Sequence, residues 1–332
     1  MERIPLILDM DPGIDDAVAL TYALLSGKAE VLAVGSVHGN VEAELAAENV
    51  LRVLERLGRE EEVPVAVGAR RPMAQPLATA RFIHGEDGLG GTGLSAPRRR
   101  PSGEHAVDQL IRLAHQRPGE ITLVATGPLT NLGLALLKDP DLPRLLRRVV
   151  VMGGAAGCPG NITATAEANV WHDPEAADLV FRAGWPLTMV GLDVTMRVIF
   201  GPAERERLRR LAGRQPLALW LDRMLDFYVR AYERVLGAPV CPVHDPLAVA
   251  AALDEEVVRC REWPVRVELR GEWTRGMTVA ERRPLAEGSG DVDPLQGPPV
   301  QVAVEADAER FFEGFFAALD AGGGASAGRP EA

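Results

Sequence analysis

Short apolar runs rich in β-branched residues alternate with helix-patterned segments along most of this chain, and that alternation restricts it to few folds. Strands are expected over residues 4–8, 31–37, 63–67, 121–124, 149–152 and 187–190. Helices are expected over 16–26, 42–58, 104–116, 129–138, 174–183, 203–212, 216–236 and 246–253. Runs as apolar as "IPLIL" and "VVVM" suit strands covered on both faces. Strand–helix alternation then implies an α/β fold with an open, mainly parallel, twisted sheet flanked by helices, a Rossmann-like arrangement. Past residue 255 the pattern shifts to short strands (263–269, 276–280, 300–304) and a helix over 308–320. With 332 residues, 47% of them hydrophobic, the chain can bury a large core. No internal repeat or linker divides it, so residues 1–320 read as one domain. The tail "AGGGASAGRPEA", residues 321–332, lacks apolar content and is expected to be disordered.

Charge and cysteine usage narrow the partners. The net charge is −11, from 47 acidic and 36 basic residues, and no basic tract stands out, which argues against nucleic acid and anionic membranes. Cys158, Cys241 and Cys260 are odd in number, widely spaced and without zinc-type spacing, pointing to a reducing, cytoplasmic compartment. The first apolar run is broken by Asp9, too early for a signal peptide, and no run approaches the ~20 apolar residues of a membrane span. Lys28 and Lys138 are the only lysines, which limits any lysine-based mechanism.

Polar clusters follow the expected strands: "DMDPGIDDA" (9–17), "HGN" (38–40), "TGPLTN" (126–131), "MGG" (152–154) and Asp193. In open α/β sheets ligands bind outside the carboxyl ends of strands, so these distant segments are expected to converge on one site. The first cluster holds Asp9, Asp11, Asp15 and Asp16. Two carboxylates ~4 Å apart repel by ~1 kcal/mol in water and ~4 kcal/mol at an effective dielectric of ~20. A Pro12-Gly13 turn with Asp15 or Asp16 at a helix N-terminus explains part of the cluster and leaves Asp9 and Asp11 over. A hard divalent cation accounts for more of it. An EF-hand is excluded, because Leu20 stands at the twelfth position, where that loop needs Glu. Two other readings compete: a Mg²⁺-dependent haloacid-dehalogenase-like phosphatase with Asp9 as nucleophile and Lys138 as its lysine, and a nonenzymatic Ca²⁺-stabilised binding protein. The former leaves Asp15 and Asp16 without a role, the latter leaves the histidines unexplained.

Four segments carry a more specific resemblance, spanning about residues 3–320. "DMDPGIDDA", "TGPLTN", "GNITATAEANVWHDPEAA" and "VHDPLAVAAAL" resemble the signatures of the nucleoside hydrolase family, the inosine-uridine-preferring ribohydrolases, in their histidine-containing subgroup. The resemblance implies hydrolysis of the N-glycosidic bond of ribonucleosides and a homotetramer or homodimer. It implies a Ca²⁺ held by Asp11, Asp16, the Thr126 carbonyl and Asp245, with Asp11 also activating the attacking water. Asp15 and Asn169 would hold the ribose 2′- and 3′-hydroxyls, Asn161 and Glu167 the 5′-hydroxyl, and Asn40 would support Asp11 and the sugar, with Asp9 behind. His244 is the expected acid for the leaving base, on the ground that histidine titrates near neutral pH. Tyr228 and Tyr232, one helical turn apart, can share its cleft. Met152 and His84, the latter in the glycine-rich loop "IHGEDGLGG", complete the substrate side. His38 and the bulky Trp171-His172 pair depart from the family pattern and leave the base preference open. His105, His115 and His172 are expected at surfaces or helix ends, and Trp171 is expected to pack.

Overall fold

The computed structural model describes residues 3–284 and 294–322. Ten strands form one sheet: β1 (Ile4–Met10), β2 (Ala29–Ser36), β3 (Val65–Val67), β4 (Ser102–His105), β5 (Thr122–Ala125), β6 (Arg148–Met152), β7 (Leu187–Val190), β10 (Val258–Val267), β11 (Thr278–Ala280) and β12 (Pro299–Ala306). A separate antiparallel pair joins β8 (Ile199–Phe200) to β9 (Cys241–Pro242). The sheet order is β11-β10-β12-β7-β6-β5-β1-β2-β3-β4. All pairs from β12 to β4 are parallel, while β10 is antiparallel to both its neighbours.

Alternate side chains of the central strands feed two apolar layers. Leu6, Leu8 and Met10 of β1 point into one layer, which includes residues of helices Ile14–Leu25, Asp245–Leu253 and Ala308–Gly322. Ile7, Leu123 and Ala125 join the opposite layer with residues of helices Ala106–Gln116, Thr130–Lys138 and Pro174–Phe181. Both faces are therefore covered, as apolar parallel strands require. From β1 the chain builds outward through β2, β3 and β4, then returns to the other edge of β1 with β5. The β1/β5 boundary is thus a topological switch point, with a crevice at its carboxyl end.

Several boundaries differ from expectation. β1 runs on through Asp9 and Met10 instead of stopping at residue 8, so Asp9 is a strand residue. β4 was not anticipated: its sequence, SGEH, carries no strand pattern, and pairing with β3 at the sheet edge creates it. β10 begins at Val258, five residues before the expected start at 263. Ala321 and Gly322 belong to the last helix and not to a tail; the rest of the expected tail lies outside the described residues. Among the described residues no helix is long and apolar enough to cross a membrane.

Candidate active site

The turn between β1 and helix Ile14–Leu25 brings three carboxylates to the switch point. Gly13 is the helix N-cap, Asp15 and Asp16 fill the acidic first turn, and Asp16 Oδ2 accepts the Gly13 amide at 3.0 Å. That bond fits the helix-capping role considered above, yet Asp16 has other partners. Its Oδ1 accepts the Thr126 hydroxyl at 2.7 Å, and its Oδ2 the Asn40 side-chain amide at 3.1 Å. Asn40 also donates its backbone amide to Asp11 Oδ2 at 2.7 Å, tying the two carboxylates together. A Cβ on Gly39 would collide with Asp11 Oδ2, so only glycine lets the β2 loop approach that closely.

Asp245 arrives from the first turn of helix Asp245–Leu253, and oxygens of Asp15, Asp16 and Asp245 lie within 4.8 Å of one another. This compact trio contains Asp15, which the resemblance assigns to the sugar, and not Asp11. Burial drives all of these acids toward the neutral form. It raises Asp11 well above the ordinary carboxylate range, with the charge of Asp16 adding to it, and raises Asp245 likewise, with Asp15, Asp16 and Asp11 adding. Asp15 and Asp16 also shift upward, chiefly by burial. Asp11 Oδ1 and Asp15 Oδ1 are buried and have no hydrogen-bond partner among the described residues. Unsatisfied buried oxygens beside a carboxylate trio fit a hard cation, and a donor set of carboxylates and carbonyls is of the Ca²⁺ or Mg²⁺ type.

The sugar-side residues lie beside this cluster. The Asn169 side-chain amide donates to the Thr126 carbonyl at 2.7 Å and the Met152 carbonyl at 3.1 Å, joining the ends of β5 and β6. Its Oδ1 remains available as an acceptor. Glu167 caps helix Ala168–His172, accepting the amides of Gly154, Asn169 and Val170 at 2.9, 2.8 and 3.1 Å. Asn161 is exposed and accepts the Ala168 amide at 2.9 Å, so it stands at the rim.

An aromatic row lines the other side. His84, Tyr228, Tyr232 and His244 follow one another with ring centroids 5.4, 4.9 and 6.0 Å apart. Both tyrosines are buried, but each uses its polar end: Tyr228 donates to Asp15 Oδ2 at 2.9 Å, and the Tyr232 hydroxyl lies 2.8 Å from His244 Nε2. The other His244 nitrogen, Nδ1, lies 2.9 Å from the Thr195 hydroxyl. Where a ring titrating near neutral pH is expected, burial, with the charge of His84 adding, pushes the His244 pKa down to about 3. His84 Nδ1 accepts the Ile14 amide at 3.1 Å, which leaves Nε2 carrying the ring proton, and burial holds the ring neutral with a pKa near 4.

Some residues fall elsewhere. Lys138 pairs with Asp108 on an exposed face, so the phosphatase reading has no lysine at the site. Asp193 accepts the Ala156 and Gly157 amides and serves the loop. His105 caps its helix and His115 pairs with Asp139 at the surface, as expected. His172 ends a helix as expected but is buried, its Nδ1 2.7 Å from the Ala168 carbonyl, with half-buried Trp171 edge-on to it. Sequence reasoning missed Asn131, which donates to Asp9 Oδ1 at 2.7 Å and to the Ser36 carbonyl at 2.9 Å. It also missed the buried contacts among His38, Thr130 and Asp173. Asn131 and Thr130 close the "TGPLTN" segment, which was the available signal.

Residues 6–313 match the family described as inosine-uridine preferring nucleoside hydrolase. The pyrimidine-specific ribonucleoside hydrolase RihA of Enterobacter sp. strain 638 is 41% identical over 279 residues, 84% of this chain and 88% of that protein. RihA of Shewanella woodyi is 42% identical over 280 residues, again 84% and 88% of the two chains. Among solved structures, the plant nucleoside hydrolase PpNRh1 superposes with a TM-score of 0.89 at 35% identity, covering 96% of this chain and 99% of its own. A purine-preferring ribonucleoside hydrolase from Gardnerella vaginalis gives 0.86 at 35%, covering 95% and 98%. Over nearly its whole length, this chain belongs to the inosine-uridine preferring nucleoside hydrolase family, whose members are hydrolases acting on nucleosides.

Proposed function

We propose that this protein is a Ca²⁺-assisted ribonucleoside hydrolase with a preference for pyrimidine ribonucleosides, working as one domain over residues 1–320. The observation that carries the reading is the pair of buried, unpartnered oxygens, Asp11 Oδ1 and Asp15 Oδ1, beside the Asp16–Asp245 cluster at the switch point. The pyrimidine preference rests on the RihA relatives, which are named pyrimidine-specific at about 40% identity. The free cysteines fit a cytoplasmic location, and a homo-oligomer is part of the same reading.

Asp11, Asp16, Asp245 and the Thr126 carbonyl would hold the ion; when bound, Ca²⁺ lowers the pKa of the attacking water and fixes the ribose diol. Asp11 takes a proton from that water as it attacks C1′, and its buried Oδ1 has no hydrogen-bond partner among the described residues. The C1′–N bond breaks through an oxocarbenium-like transition state, whose positive charge the surrounding carboxylates stabilise. Asp15 and Asn169 Oδ1 accept from the 2′- and 3′-hydroxyls, Glu167 and Asn161 meet the 5′-hydroxyl, and Asn40 steadies Asp11. Met152 and His84 line the substrate, His84 offering its Nε2–H. A proton reaches the departing base from the Tyr232–His244 pair, whose hydroxyl and Nε2 lie 2.8 Å apart, while Tyr228 is held on Asp15. Burial raises the Tyr232 hydroxyl well above its ordinary range, so the proton moves only as the base gains negative charge. The Tyr232–His244 pair is left one proton short, and the proton that Asp11 took from the water is returned to it through solvent once ribose and base have left. One water is consumed and both groups regain their starting state.

Incubation with uridine, cytidine, inosine and adenosine, followed by a reducing-sugar assay, tests the reading. Ribose is expected from the pyrimidine ribonucleosides about tenfold faster, the discrimination a modest pocket difference supplies. Faster purine hydrolysis overturns the preference, and absence of ribose from all four overturns the activity.

The relay has its own test. His244→Ala and Tyr232→Phe are each expected to slow uridine hydrolysis by ~10²-fold, the scale of lost acid catalysis. Neither substitution should much affect p-nitrophenyl riboside, whose leaving group departs without a proton. Equal losses on both substrates assign the pair to binding or folding.

A further inference from the structure

Asn49 lies on helix Ala43–Leu57, outside every segment assigned above, yet its side chain is completely buried. Its amide nitrogen donates to two carbonyls: Pro12, in the turn between Asp11 and Asp15, at 3.1 Å, and Asp87, in the loop after His84, at 2.9 Å. Its oxygen accepts from Arg52 Nη1 at 2.6 Å, which fixes the amide with both N–H bonds toward the two loops. Arg52 Nε also reaches the Ser95 carbonyl at 3.2 Å, holding the far end of the same loop. Contact at this point is close. Gly88 sits at φ +77°, and a Cβ there would come within 2.9 Å of Asn49 Nδ2 and 3.0 Å of the Pro12 carbonyl. The loop is also closed on itself, with Asp87 Oδ1 accepting the Leu89 and Gly91 amides and Gly90 donating to the His84 carbonyl.

The carboxylate turn and the His84 loop are therefore pinned together twice, by the Ile14 amide on His84 Nδ1 and by the two bonds of Asn49. We propose that Asn49 is a positioning residue that sets the register of the His84 loop on the carboxylate turn, so that His84 presents its Nε2–H to the bound nucleoside. The inference rests on the reading of His84 as a substrate-side residue. Removing Asn49 leaves the Pro12 and Asp87 carbonyls without their shared donor and the Ile14–His84 bond as the remaining one of these pins. His84 then spends less time in the position that binds substrate. The loss falls on KM more than on kcat, because Asp11 keeps its Asn40 contact.

The experiment is a double-mutant cycle on full-length, Ca²⁺-loaded enzyme with uridine, using Asn49→Ala, His84→Ala and the pair. Each single variant is expected to raise KM about tenfold, the weight of one buried hydrogen bond, with a smaller change in kcat. In the His84→Ala background Asn49→Ala should change KM by no more than about twofold, because coupled residues are not additive. Asn49→Asp keeps the volume and the Arg52 contact but sets an acceptor against two carbonyls. It should show the same KM effect, and it stands in for Asn49→Ala if that variant does not fold. Multiplying KM effects, or wild-type KM in a folded Asn49 variant while His84→Ala is impaired, overturns the inference alone. Wild-type KM in His84→Ala overturns the reading of His84, and the inference with it.

Discussion

Asp11→Asn is expected to lower kcat by ~10²–10⁴-fold at saturating Ca²⁺, the range lost when a general base is removed. The substitution keeps the shape and one oxygen for the Asn40 amide, which Asp11 accepts at 2.7 Å. It deletes the proton acceptor. In the native site that acceptor is Oδ1, buried and without a hydrogen-bond partner among the described residues. The amide also removes one negative charge from the cluster. Metal content must therefore be verified by elemental analysis, and kcat read where further Ca²⁺ has no effect. Turnover within a few-fold of wild type under those conditions assigns the base to another group, with Asp15 Oδ1 the next unpartnered oxygen.

The parts of this site legible in the sequence are those in which several groups sit on one contiguous segment. Asp11, Asp15 and Asp16 share a turn, and Glu167 and Asn169 share a helix start, so their crowding is visible without knowledge of the fold. Residues whose role depends on a distant neighbour were less legible. Asp9 looks like a strand breaker, yet it stays in β1 because Asn131, 122 positions away, donates to its carboxylate. Asn49 lies in the expected helix over 42–58 with no motif around it, and only Pro12 and Asp87, brought against it by the fold, give it a role. The adjacency of His244 to Asp245 was evident, but its low pKa follows from burial, with the charge of His84 adding, and both come only with the fold. β4 shows the same limit for the backbone. Nothing in SGEH favours a strand, and only the β3 edge recruits it.

Chelation of divalent metal is expected to abolish turnover and lower Tm, and the Tm gained on restoring Ca²⁺ should grow as pH rises from about 5 to about 8. Without the ion, burial raises Asp15 and Asp16 to about 6 and Asp9 to about 7, and holds Asp11 and Asp245 well above the ordinary range. Carboxyls with raised folded-state values contribute stability below the unfolded value of about 3.9 and lose it as pH climbs through the folded values. On these groups alone the metal-free protein therefore weakens across that interval. Ca²⁺ must displace their protons, so its affinity rises over the same interval, and at about 100-fold above Kd it adds about 2.7 kcal/mol. Buried His38, His84 and His244 act in the opposite direction, with pKa values lowered to about 4, 4 and 3. Their contribution is lost as pH falls from about 6.5 toward those values. Above about pH 7 that contribution changes little, so a gain that still grows between about 7 and 8 reports on the carboxylates. Thermal melts in EGTA and in Ca²⁺ across a pH series provide the measurement. A gain that is flat or falls with pH, or full turnover after metal removal verified by elemental analysis, would sink the assignment of Asp11, Asp16 and Asp245 to a metal.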